Sequence, residues 1–166
     1  MTGIPVLRSY HSSDLPALAA VFREAALRTG ASVYTREQVE AWALFPEDRT
    51  EFATRLGRGI TLVAEAEGRA VSFGQLDPVD HVSFLYTSPE WSRRGLGSAI
   101  HIQLERAARA SGVSLLRVEA SRIARPLFEK LGYDLEEVEM SVWEGLEFER
   151  FRMIKRLVPD DFLDAD

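Results

Sequence analysis

The stretch Thr87-Ser88-Pro89-Glu90-Trp91-Ser92-Arg93-Arg94-Gly95-Leu96-Gly97-Ser98-Ala99-Ile100 decides how this chain is read. Val82 to Tyr86, just before it, alternates and is β-prone, whereas Ala99 to Ala110, just after it, repeats its apolar residues at helical spacing. Two glycines therefore fall where a strand turns into a helix. Glycine there lets the backbone approach a ligand closely, and the first-turn N–H groups of the helix have no internal partner. The positive end of the helix dipole makes such a terminus a ready anion site. Arg93 and Arg94 add fixed positive charge beside it. The economical ligand is a pyrophosphate held by backbone N–H groups from Arg93 to Ser98, Leu96 included. The plainer alternative is an ordinary strand–helix turn with two glycines and a solvated arginine pair.

Two familiar phosphate loops do not fit. A P-loop needs Gly-Lys-Ser/Thr after its glycine run, and none follows. The dinucleotide fingerprint needs a third glycine where Ile100 stands, and an acidic residue ending a second strand. What fits is the Arg/Gln-x-x-Gly-x-Gly/Ala loop, and the stretch resembles that of the GNAT superfamily of acyl-CoA-dependent N-acyltransferases. The resemblance extends to Phe84-Leu85-Tyr86-Thr87-Ser88-Pro89 and to Glu119-Ala120-Ser121 followed by Ala124-Arg125-Pro126-Leu127-Phe128-Glu129-Lys130-Leu131-Gly132-Tyr133. It also takes in Asp14-Leu15-Pro16 near the start and Phe151-Arg152-Met153-Ile154-Lys155 near the end. Nearly the whole chain is covered, in order.

Working outward, Ile4 to Ser9 reads as a first strand, and Ser12-Ser13-Asp14 offers an N-cap to a helix carrying Leu15, Leu18, Ala19, Phe22 and Ala26. A second helix starts at Thr35, whose hydroxyl can form a capping box with Gln38, and runs through Trp42. Glu51 to Arg58 reads as a short helix. Thr61 to Ala66 and Ala70 to Leu76 alternate around a Glu67-Gly68-Arg69 hairpin turn, and Asp77-Pro78 breaks the chain. The helix after the glycine loop stops at Ser111-Gly112. Leu115 to Ala120 is a strand, Ala124 to Leu131 a helix stopped at Gly132, and Tyr133 to Val142 a strand. Leu146 to Arg156 closes a last hairpin over Glu144-Gly145. The predicted class is α/β (α+β): one domain over residues 1–166 with a central mixed sheet flanked by helices. The acidic end, 158–166, is expected to be mobile. The resemblance implies a mostly antiparallel sheet of six to seven strands, two of which splay apart to admit the acyl-CoA arm.

A chain of 166 residues can bury a substantial single core. Its 20 basic and 26 acidic residues give a net charge of −6, which argues against unassisted nucleic-acid or anionic-membrane binding and suits a cationic amine partner. The absence of cysteine excludes a disulfide framework, a thiolate metal site and a cysteine nucleophile. His11, His81 and His101 lack metal-ligand spacing, so no metal is expected, and His101 is expected to be exposed on the loop helix. Met1 to Tyr10 holds no long apolar run, so no signal peptide is expected, and no segment is apolar enough to span a bilayer. The expected location is the cytoplasm.

The strand before the loop is the expected wall of the active site. A regular pleat puts His81, Ser83 and Leu85 on one face, toward the cleft, and Val82, Phe84 and Tyr86 on the other, under the helices. The resemblance implies acetyl-CoA as donor, with the backbone of Leu85, Tyr86 and Thr87 receiving the thioester carbonyl. It implies Ser121 beside the pantetheine amides, and Arg122 or Arg125 near the adenosine phosphates. An amine acceptor needs a base. An unperturbed histidine such as His81 titrates near neutrality, Glu119 lies on the strand beside the cleft in the family, and the choice between them stays open. Their plainer alternatives are an edge histidine and a surface carboxylate paired with Arg117 or Arg122. Tyr34 and Trp42 are candidates to enclose the acceptor, against Trp42 as an ordinary core residue.

Two departures stand out. Ser92 occupies the first position of the loop motif, usually Gln or Arg. Phe128 occupies the place of a tyrosine that many relatives carry near the CoA sulfur, and it cannot donate a proton. Water, Ser121 or Tyr133 must then protonate the leaving thiolate, or the protein is a non-catalytic acyl-CoA-binding module. A nucleotide-binding protein is a weaker rival. A homodimer is compatible with the family, with Leu146 to Arg156 as the strand that pairs with a second copy.

Overall fold

The computed structural model describes residues 3–158; the expected acidic tail beyond Val158 lies outside the described residues. Seven strands, β1 (Val6–Ser9), β2 (Ile60–Ala66), β3 (Arg69–Leu76), β4 (His81–Thr87), β5 (Leu115–Ala120), β6 (Asp134–Trp143) and β7 (Leu146–Arg156), form one sheet in the order β1-β2-β3-β4-β5-β7-β6. Every pairing is antiparallel except β4 with β5. On one face lie α1 (Leu15–Glu24), α2 (Arg36–Trp42) and α3 (Arg49–Leu56). On the other lie α4 (Leu96–Ala110) and α5 (Arg125–Lys130).

Local chemistry explains most boundaries. The Thr35 hydroxyl accepts from Gln38 N–H at 3.1 Å while the Gln38 side chain accepts from Thr35 N–H at 2.9 Å, the reciprocal cap expected at α2. The third helix starts at Arg49 rather than Glu51, because the Asp48 carboxylate accepts from Glu51 N–H and caps the turn ahead of it. Both hairpins close on two-residue turns with positive φ, Glu67-Gly68 and Glu144-Gly145, whose twist matches the flanking strands. The first strand starts at Val6, two residues later than expected, where pairing with Glu65 begins.

Each sheet face has its own core. Leu18, Phe22, Phe52, Phe73 and Phe84 pack together under α1 and α3. Ile100, Leu104, Leu116, Val118, Phe128 and Met153 pack under α4 and α5. At Gly74 a Cβ would stand 2.7 Å from Ile100 Cγ2, so the missing side chain is what lets α4 lie against β3.

Two expectations are corrected. The pleat of β4 is irregular: Gln75 pairs with Phe84 but Leu76 with Val82, leaving Ser83 as the extra residue of a bulge. Phe84 and Tyr86 pack under α1 and α3 as expected, but Val82 joins Leu85 in the core beneath α4. And β7 is an interior strand: β6 pairs along nearly all of it and β5 along Phe151–Arg156, so the fully open edge on that side belongs to β6.

Candidate active site

The parallel pairing of β4 and β5 extends over only two positions, His81 with Arg117 and Val82 with Val118. Beyond them the strands part. Ser88 N–H donates to Val71 C=O at 2.8 Å, so the alternation of the antiparallel ladder turns the backbone groups of Tyr86 and Phe84 toward β3. Those of Leu85 and Thr87 point the other way, into the gap. The gap opens a cleft of about 730 Å³ that crosses the sheet. For that reason residues from both faces of β4 line it, Ser83 and Phe84 as well as Val82 and Leu85, together with Tyr86 and Thr87.

One end of the cleft is the glycine loop. Arg93 and Gly95 both take positive φ, 60° and 79°, which swings the chain into α4. The first helical hydrogen bond runs from Ala99 N–H to Gly95 C=O at 2.9 Å, so the N–H groups of Leu96, Gly97 and Ser98 have no partner inside the helix. Arg93, Gly95, Leu96, Gly97 and Ser98 all line the cleft. A Cβ on Gly97 would meet only Leu127 at 3.4 Å and the Thr87 hydroxyl at 3.9 Å, two other cleft residues. The fold itself therefore has room for a methyl there; the glycine keeps the backbone open to the cleft. Arg94 instead lies over the Trp91 ring at 4.5 Å. The Ser92 hydroxyl donates to Pro89 C=O at 2.8 Å, inside the turn.

Across the gap, Ser121 lines the cleft and its hydroxyl oxygen accepts from Ala124 N–H at 3.1 Å. Phe128 reaches the cleft from the buried side of α5. Arg125 stands outside the lining, bonded to Glu129 at 2.6 Å and stacked over Phe151.

His81 and Glu119, the two candidate bases, are bonded to each other. Glu119 Oε2 lies 2.5 Å from His81 Nε2, and Nδ1 of the same ring is 3.0 Å from Asp77 C=O. Both ring nitrogens thus face oxygen acceptors, an arrangement that favours the doubly protonated ring. The carboxylate, opposed by burial and helped by Asp77 C=O, raises the His81 pKa above its ordinary value. The imidazolium holds Glu119 below the usual carboxylate range, against the opposing effect of burial. Glu119 lines the cleft, and His81 stands behind it.

The far half of the cleft is aromatic. Trp42 is half-buried, edge-on to Phe22 and Tyr34, and it lines the cleft with both. Tyr34 also faces Phe148, and its hydroxyl accepts from Arg122 N–H at 2.9 Å, tying the helical cover to the start of α5. Trp143 donates to Ala41 C=O at 2.7 Å, which fastens α2 to the β6–β7 hairpin. Burial pushes the Tyr86 phenol up to about 12. A π-helical turn at Ala25–Thr29 bends the chain between α1 and α2 and brings Ala25 and Thr29 to the rim.

Comparison with known proteins places this geometry. Residues 30–155 match the family model described as the acetyltransferase (GNAT) domain. The chain belongs to the GNAT family. It is 30% identical over 148 residues to the uncharacterized N-acetyltransferase YafP of Escherichia coli K12, covering 89% of this chain and 93% of that protein. A crystal structure of a GCN5-related N-acetyltransferase from Rhodopseudomonas palustris superposes with a TM-score of 0.90 at 34% identity, covering 95% of this chain and 98% of that one. The PaiA N-acetyltransferase of Thermoplasma acidophilum, solved with coenzyme A, shares the fold, with a TM-score of 0.77 at 20% identity over 93% of this chain and 99% of that one.

Within this GNAT fold the expected exposure of His101 is corrected, and Tyr133 drops out as a donor to the thiolate. His101 is 1% exposed, not on the surface, and its Nε2 lies 2.7 Å from the Tyr133 hydroxyl. Burial lowers the His101 pKa to about 4 and drives that of Tyr133 well above the ordinary phenol value. Tyr133 is screened by the Phe128 ring, 5.1 Å away, and is absent from the cleft lining. Of the hydroxyls considered as acids, Ser121 lines the cleft and Tyr133 does not. Sequence reasoning did not single out Arg55, Phe148, Trp143 or Arg150, all of which line the cleft. Among the described residues no group of carboxylate and imidazole side chains could hold a metal ion, and no helix is long and apolar enough to cross a membrane.

Proposed function

We propose that this GNAT protein transfers the acetyl group of acetyl-CoA to a primary amine by direct attack within a ternary complex. The observation that carries the reading is the gap between β4 and β5, with unpaired strand backbone on one wall and unpaired helix N–H groups at its mouth. The N–H groups of Leu96, Gly97 and Ser98 suit a pyrophosphate, and Arg93 adds charge. The Leu85 N–H, turned into the gap, suits the thioester oxygen and would stabilise the negative charge that develops there.

The attacking amine must lose a proton. Glu119 presents its carboxylate to the cleft with His81 behind it, so the pair acts as one acceptor. With His81 neutral, a proton delivered to the pair is stored as imidazolium between Asp77 C=O and Glu119. The amine nitrogen bonds to the carbonyl carbon, the carbon–sulfur bond breaks, and CoA leaves as thiolate. Its proton comes from water or from Ser121, whose oxygen is held by Ala124 N–H. Zero cysteines and a tightly bonded Glu119 argue against a covalent acetyl-enzyme. A second reading, acyl-CoA binding without turnover, is favoured by Phe128 and by the burial of Tyr133.

The test is thiol release from acetyl-CoA across a panel of primary amines, with the intact mass of the protein followed in parallel. Amine-dependent release without a mass increase on the chain supports direct transfer. A stable acetylated chain would refute it, and binding without release on every amine would favour the second reading.

A further inference from the structure

The acceptor half of the cleft contains a guanidinium with no anion to answer it. Arg55 lies in the last turn of α3, and its guanidinium carbon stands 5.1 Å from the Phe45 ring centre and 5.3 Å from that of Phe84. It lines the cleft, and among the described residues no hydrogen bond or ion pair engages its side chain. The other charges nearby have ionic partners: Arg150 bonds Glu139 at 2.7 Å through a terminal nitrogen, although its buried Nε has no partner among the described residues, Glu119 bonds His81, and Glu149 meets Arg122 at 3.6 Å. The remaining cations of the lining, Arg93 and Lys130, belong to the glycine loop and to the end of α5.

Nor is Arg55 loosely held. The Gln75 amide donates to Arg55 C=O at 2.6 Å and to Arg58 C=O at 2.9 Å, while Ser83, the bulge residue of β4, donates its hydroxyl to Gln75 Oε1 at 2.6 Å. The sheet therefore fixes the end of α3 on which Arg55 stands. Two aromatic rings flank the guanidinium, and among the described residues its N–H groups are unspent. Such a fork, in a partly desolvated wall, selects a carboxylate. The surrounding lining, with Phe22, Tyr34, Trp42 and Phe148, suits an apolar or aromatic body.

We infer that Arg55 determines acceptor specificity, and that the acceptor is a primary amine that also carries a carboxylate on an apolar frame, as an apolar amino acid does. This rests on the transferase reading above. The carboxylate docks on Arg55, the apolar frame lies among the rings, and the amine faces Glu119 and the thioester.

The experiment uses matched pairs that differ only in the carboxylate: L-phenylalanine with 2-phenylethylamine, and L-tryptophan with tryptamine. It measures kcat/KM for thiol release from acetyl-CoA and binding to the CoA-saturated protein. Wild type should favour the amino acid of a pair by about 10- to 100-fold, the worth of a charge-assisted hydrogen bond. Arg55→Met should erase that ratio while leaving acetyl-CoA affinity at the wild-type value, and Arg55→Lys should restore part of it. A wild type without the preference, in rate and in binding, would overturn the inference, as would a preference that survives Arg55→Met. Failure of acetyl-CoA itself to bind would instead remove the transferase reading on which the inference stands.

Discussion

Replacing Gly97 by alanine should move stability and cofactor affinity in opposite directions. The position is the second residue of α4 and has ordinary helical φ, so the backbone tolerates a side chain. The new Cβ would find van der Waals contact with Leu127 at 3.4 Å and no clash. Removing a glycine from a helix is worth up to about 1 kcal/mol. For a domain of this size that is a rise in Tm of about 2–4 °C. The same methyl, however, projects between Leu127 and Thr87 into the cleft, over the N–H groups left open at the helix start. Losing one hydrogen bond to a charged phosphate oxygen costs about 1.5–3 kcal/mol. At 1.4 kcal/mol per factor of ten, CoA should bind roughly 10- to 150-fold more weakly. Thermal unfolding without ligand and calorimetric titration with CoA read the two effects separately. A variant that keeps wild-type affinity would refute the cradle, and one that unfolds earlier would refute the packing argument.

Glu119→Gln should leave CoA affinity intact but reduce kcat/KM by about 10²- to 10⁴-fold, the range for loss of a positioned base. It should also move the acid limb of the pH profile to lower pH, because the bond to Glu119 is the largest cause raising His81. Stability has a defined sign as well. Raised His81 contributes below its ordinary 6.5 and loses that contribution as pH rises through its folded value. Lowered Glu119 contributes above its ordinary 4.5 and loses it as pH falls through its folded value. The melting difference between wild type and Glu119→Gln should therefore be largest between pH 4.5 and 6.5 and shrink on either side. Tyr133→Phe should cost about 1–3 kcal/mol in denaturant titration by stranding His101, yet leave turnover of the folded protein within about twofold; a hundredfold loss would make Tyr133 the missing acid. Gly74→Ala should lower Tm by about 2–12 °C, the cost of ~1–3 kcal/mol for forcing a methyl against Ile100.

Much of the fold was readable because its punctuation is local. Positive-φ turns at Gly68 and Gly145, the Thr35 cap and the glycine stops at Gly112 and Gly132 each act within a few residues. The bounds of β5 and β7 coincide with those expected. The bulge at Ser83 gave no such sign, since what sets it is the register against Gln75 and Leu76, and it moved Val82 to the opposite core. His101 was misjudged although a signal existed. Gly97, Ile100, His101, Leu104 and Ala108 fall on one helical stripe, and a polar residue there needs a buried partner, found in Tyr133 far along the chain. Arg55 likewise sits three residues after Phe52 and one before Leu56, on the buried side of α3. That Glu119 and His81 form a single unit depends on the parallel pairing of β4 with β5, which no local pattern encodes.

The proposed transfer requires that the opening between β4 and β5 hold an acyl-CoA. Calorimetric titration of the wild-type chain with acetyl-CoA, with ATP as the comparison ligand, addresses it directly. Saturable binding of one acetyl-CoA per chain, with ATP far weaker, is the predicted result; no heat of binding, or equal affinity for ATP, would contradict it.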